Sequence, residues 1–87
     1  MTREQIDELA ERDGVALVLA DGFDRAFLGY IDGDDDDVPP RAVYSKAKCI
    51  EVLVEDGMPR EVAVEFLEFN VWGAYVAAET PIWVNDR

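Results

Sequence analysis

Three glutamates carry the first chemical signal in this chain. Glu61, Glu65 and Glu68 stand at i, i+4 and i+7, a spacing that puts all three on one stripe of a helix. Neighbours on such a stripe lie about 5–6 Å apart, close to the step between successive phosphates on one nucleic-acid strand. Like charges placed this way cost an isolated helix about 0.2–0.5 kcal/mol per pair, a cost that a basic partner would offset. Trp72 continues the same line, where an exposed aromatic anchors a protein contact. The competing reading is an ordinary solvated helix face with Trp72 tucked under the C-terminal segment.

Other chemistry is thin. The chain has no histidine, which removes the commonest general base and the commonest transition-metal ligand. Ser45 is the lone serine and lacks a histidine to activate it, so a Ser-His-Asp triad within one chain is excluded. Cys49 is flanked by Ile50, Val52 and Leu53 and reads as a packed thiol rather than a nucleophile. Gly29 and Gly33 lack the strand-to-helix setting of a phosphate loop. Asp32, Asp34, Asp36 and Asp37 invite a calcium reading, yet an EF-hand counted from Asp32 needs Gly sixth and Glu twelfth. Asp37 and Val43 stand there instead. No enzyme activity, metal or cofactor is expected.

Composition sets the frame for these residues. The 87 residues hold 20 Asp plus Glu against 8 Lys plus Arg, a net charge of -12, with 49% apolar residues. That apolar fraction suits one small folded domain over residues 1–87 rather than a disordered chain. The longest apolar stretch, Val15 to Ala20, is far short of a membrane span. No secretory-type start is present, and one cysteine makes no internal disulfide, so a cytoplasmic protein is expected. A surface this acidic repels nucleic-acid phosphates and anionic lipid, and its fitting partner is a basic protein surface. Salt-adapted proteomes carry the same acidity for solvation, and the two lysines beside six arginines fit that picture as well.

The elements that position these residues follow from spacing. Thr2 to Gln5 has capping-box form, and Ile6, Leu9 and Ala10 share one face, which predicts a helix over 3–12, a loosely held addition, with Gly14 as its stop. Residues 15–19 read as a buried strand and 26–31 as a second strand antiparallel to it, joined by the Asp21-Gly22-Phe23-Asp24 turn. Residues 33–40, with Asp34, Asp35, Asp36, Asp37 and a double proline, form an exposed acidic loop. Residues 41–44 are extended, and Ser45 caps a helix that buries Ala47, Ile50, Leu53 and Val54. Pro59 opens another helix at its first position, with Val62, Phe66, Phe69 and Gly73 on its buried face. Ile82-Trp83-Val84 returns as a short strand. The sum is a small α+β domain, a short antiparallel sheet packed against two or three helices.

Several runs together form a recognisable pattern: Glu68-Phe69-Asn70, Gly73-Ala74-Tyr75-Val76, and Thr80-Pro81-Ile82 followed by Trp83. Upstream, Ala20 to Asp24, Ala42-Val43-Tyr44 and Lys48 to Glu51 belong to it too. Over roughly Leu17 to Val84 the chain resembles a group of small acidic proteins of phages, prophages and mobile elements. The group has no assigned activity, so the resemblance implies no catalytic residue. Members often have Gly-Glu after the Tyr-Val pair, where this chain has Ala77-Ala78-Glu79. Within the pattern Asn70 is expected to be buried and bonded near the Asp21-Gly22 turn, and Gly73 to let helix approach sheet.

The expected function is that of a phage-type inhibitor, an anti-CRISPR or other anti-defence protein that mimics DNA on a basic, nucleic-acid-binding complex. Its partner surface would comprise Asp34, Asp35, Asp36, Asp37, Glu55, Asp56, Glu61, Glu65, Glu68 and Trp72. The alternative is an interaction module such as an antitoxin or regulatory subunit, using Trp72, Tyr75 and Trp83. A homodimer is compatible with a short edge strand and exposed aromatics.

Overall fold

The computed structural model describes residues 1–33, 38–73 and 79–86. Asp34, Asp35, Asp36, Asp37 and Tyr75 therefore lie outside the described residues.

Helix α1 (Arg3–Asp13) starts where the side chain of Thr2 accepts from the Gln5 N–H while the Gln5 side chain accepts from the Thr2 N–H. It stops at Gly14, whose φ of 67° only glycine adopts without strain. The helix is not a loose addition. Ile6 is fully buried in the core, and Arg3 bonds Asp21 at 2.7 Å and Asp24 at 3.3 Å.

Residues 15–20 run without ladder pairing, so the strand expected at 15–19 is absent. The segment still alternates: Leu17 and Leu19 are half-buried against the core, while Ala16 and Val18 face solvent. A short 3-10 turn at Asp24–Ala26 leads into β1 (Phe27–Ile31). Its antiparallel partner is β2 (Arg41–Ser45), with Phe27 opposite Tyr44, Gly29 opposite Val43 and a bulge between Phe27 and Gly29. At Gly33 the backbone of Val38 occupies the space a β-carbon would need, so the close approach of these two residues depends on glycine.

Ser45 ends β2 and caps α2 (Lys46–Glu55) by accepting from the Lys48 N–H at 3.1 Å. The expected face of α2 is rotated. Cys49, Ile50 and Val52 are buried, Ala47 and Leu53 half-buried, and Val54 exposed. Pro59 is the N-cap of α3 (Arg60–Leu67) rather than its first helical residue, so the helix starts one residue later than expected, and the Pro59 carbonyl accepts from Ala63 at 2.9 Å. The helix then widens into a π turn at Glu68–Trp72. A last strand, β3 (Ile82–Val84), pairs parallel with β2.

The protein is thus a small α+β domain, whose described residues form a mixed sheet in the order β1-β2-β3 and three α-helices. The expected all-antiparallel sheet is corrected at β3. Two helices separate β2 from β3 in sequence, and a crossover of this kind brings a strand back in the same direction. At the centre sits Tyr44, fully buried, edge-on to Phe27 (centroids 5.6 Å) and tilted against Trp83 (5.0 Å).

The largest correction concerns α3. Its buried face is Ala63 and Leu67, not Val62, Phe66, Phe69 and Gly73. Val62 is 49% exposed, Phe66 40% and Phe69 78%. Gly73 is exposed too, and a β-carbon there would stand 3.0 Å from the Glu68 carbonyl rather than against the sheet.

Candidate functional site

Helix α3 is fixed from below by small and medium apolar groups. Ala63 lets the helix lie close to the core, and Leu67 fills it one turn later. With that face held, Glu61, Glu65 and Glu68 project into solvent along one flank. Among the described residues none of the three takes part in an ion pair or side-chain hydrogen bond, so their charge is available to a partner.

The other carboxylates are differently employed. Glu55 is exposed and paired with Arg25. Asp21 and Asp24 hold Arg3, and their bonds raise its already high pKa, that to Asp21 most. Asp86 accepts from the Ser45 hydroxyl at 2.6 Å. Asp56 is exposed at the C-terminal end of α2. Of the expected acidic surface among the described residues, the α3 stripe is thus the part with uncommitted charge on one element, together with Asp56 at the end of its neighbour.

Trp72 is not the exposed anchor that its place in line with the glutamates suggested. It is half-buried against the core, and the Lys46 ammonium sits 5.0 Å from its ring centroid, a cation–π distance. The π turn shifts the phase of the helix after Glu68, so an i+11 count from Glu61 overshoots. Its indole N–H is buried without completing a hydrogen bond among the described residues, as is that of Trp83. Trp83 is likewise half-buried. Asn70 is exposed, and its amide donates to the Phe66 carbonyl at 3.1 Å within the helix rather than to the Asp21-Gly22 turn.

What the sequence reading missed is an exposed apolar flank of α3. Each glutamate of the stripe is followed directly by an exposed apolar residue: Glu61-Val62, Glu65-Phe66, Glu68-Phe69. The dipeptide repeat was visible, but apolar side chains at helical spacing read first as core.

Cys49 is a fully buried free thiol. Burial pushes its pKa up to about 11, against a smaller lowering by the Trp72 indole, so the thiolate is scarce at neutral pH. No group of three or more His, Cys, Asp or Glu is arranged to hold a metal ion among the described residues. An apolar groove of about 230 Å³, lined by Val18, Leu19, Phe23, Val71, Pro81 and Trp83, opens beside Asn70. A more polar recess of about 410 Å³ sets Lys46 and Arg60 beside Glu51, Glu68 and Asp86. No helix among the described residues is long and apolar enough to cross a membrane.

No protein-family model matches this chain, no curated protein is similar to it in sequence, and no solved structure is similar to it in fold.

Proposed function

We propose that this protein is a non-enzymatic acidic inhibitor that acts in the cytoplasm of a host cell. It occupies a basic surface that otherwise holds nucleic acid, in the manner of an anti-CRISPR protein mimicking DNA. The observation that carries the reading is the uncommitted stripe of Glu61, Glu65 and Glu68 along α3 and its C-cap, exposed on a helix packed on the core through Ala63 and Leu67. The net charge of -12 adds long-range attraction toward a basic partner and repulsion from nucleic acid itself. The phage-like pattern read from the sequence belongs to the same proposal.

The test is affinity capture from host lysate with the wild-type chain and with the triple variant Glu61→Lys/Glu65→Lys/Glu68→Lys. Circular dichroism checks that the variant folds. The wild type is expected to retain a nucleic-acid-binding complex at low salt and release it at high salt, because charges at a wet interface are screened over about 8 Å at physiological ionic strength. The triple variant is expected to retain none. Equal capture by both chains would sink the proposal.

A further inference from the structure

The carboxylate stripe of α3 has a neighbour that charge does not explain. Val62, Phe66 and Phe69 stand at i, i+4 and i+7, each one residue after a glutamate. With 100° between successive residues of a helix, the apolar ridge lies directly beside the acidic one. The core-facing Ala63 and Leu67 each directly follow a ridge residue, so the ridge lies between the acidic stripe and the buried face. The ridge is therefore an exposed flank of the helix, and Phe69 stands at its end, in the π turn, with 78% of its surface in solvent. Single exposed apolar residues are ordinary, whereas three in register on one face mark a contact surface.

Charge complementarity selects the occupant. A second copy brings another net charge of -12, and an antiparallel pairing of two α3 helices about a two-fold axis sets the glutamate stripes side by side. A helix that carries an apolar stripe and, next to it, a row of lysines or arginines satisfies both ridges at once. Side chains at i, i+4 and i+7 on one helix pack into the grooves of another by the same spacing.

We infer that α3 docks a basic amphipathic helix of a partner protein, with Val62, Phe66 and Phe69 as the apolar anchor and Glu61, Glu65 and Glu68 pairing with its basic row. The inference rests on the inhibitor reading and deepens it. Charge guides encounter and sets salt sensitivity, while the aromatic ridge holds the complex once water has left it.

Two labelled synthetic peptides of identical composition test this by fluorescence anisotropy. One is a helix with leucines at i, i+4 and i+7 and lysines beside them; the other is its scrambled sequence. Both are titrated with the wild type, with Phe69→Ser and with Glu61→Gln/Glu65→Gln/Glu68→Gln, at low and high salt. The amphipathic peptide should bind the wild type at both salts and bind Phe69→Ser about 30-fold or more weakly, as for an interface anchor. The scrambled peptide should bind at low salt alone and ignore Phe69→Ser. Equal, salt-labile binding of both peptides, lost in the glutamine variant, overturns the docking inference and leaves the inhibitor reading standing. Absence of binding by either peptide at low salt counts against both. Sedimentation of the protein alone should give a monomer; a dimer abolished by Phe69→Ser overturns the inference by showing that a second copy covers the ridge.

Discussion

The phenol oxygen of Tyr44 accepts a hydrogen bond from the backbone N–H of Ala20 at 2.9 Å. This bond fastens the extended segment 15–20 to the middle strand of the sheet, where no ladder does. Burial raises the Tyr44 pKa, with the Ala20 bond working the other way, so the side chain stays a neutral phenol at physiological pH. The Tyr44→Phe variant keeps the ring between Phe27 and Trp83 but leaves the Ala20 N–H without its acceptor. A loss of about 1–2 kcal/mol is expected. Thermal unfolding should show it, at about 4–8 °C per kcal/mol for a domain of this size. An unchanged melting temperature would mean that water replaces the phenol at no cost.

Ser45 joins three elements at one hydroxyl. It is fully buried, ends β2, accepts from the Lys48 N–H to cap α2, and donates to Asp86 beyond β3. Replacing it by alanine removes the cap and strands the Asp86 bond together. The expected cost is about 1–2 kcal/mol, at the upper end for an N-cap. Urea unfolding should give a lower midpoint with an unchanged slope. The Ser45→Thr variant retains a hydroxyl and should lose less, unless its extra methyl finds no room.

The pair Asp13 and Tyr30 gives stability a pH window. The Tyr30 hydroxyl donates to the Asp13 carboxylate at 2.7 Å. This bond, and more weakly Arg12, hold Asp13 below its ordinary value of 3.8. The same bond raises Tyr30 above 10.0. Asp13 thus contributes stability that is present above its unfolded pKa and lost as pH falls through the lowered folded one. Tyr30 contributes stability that is present below its unfolded pKa and lost as pH rises through the raised folded one. The stability gap between wild type and Tyr30→Phe should therefore be widest between the two titrations and close at both ends. A gap independent of pH from 2 to about 11 would show that the hydroxyl acts other than through the Asp13 carboxylate.

Local signals were legible where one residue decides the outcome. Thr2 with Gln5, Gly14 and Ser45 each satisfy or end backbone bonding by themselves, and the helix starts and stops there follow them closely. Pairing was not legible in the same way. Residues 15–19 have strand composition, but composition does not settle pairing; β1 pairs with Arg41–Ser45, and the segment is tied to the sheet by the Tyr44 bond instead. On α3 two apolar sets compete for the core, Val62-Phe66-Phe69 and Ala63-Leu67. Side-chain size favours the first, yet the helix lies close enough for Ala63 and turns the larger set outward. The acidic stripe was readable because its exposure follows from charge alone, while the ridge beside it needed the packing.

The sheet has outer strands on both sides, and β1, one of them, carries exposed Leu28 and Ile31. Strand edges of this kind recruit one another when molecules meet, and the bulge at Phe27/Gly29 shortens the regular stretch on offer. Twenty carboxylates against eight basic groups keep molecules apart in neutral solution. The same acidity that draws a basic partner is then a colloidal safeguard, and it is reversible by protons. Near pH 4, where carboxylates neutralise, the repulsion fades while the strand edges and the α3 ridge persist, so acid rather than heat is the condition under which this molecule becomes its own partner.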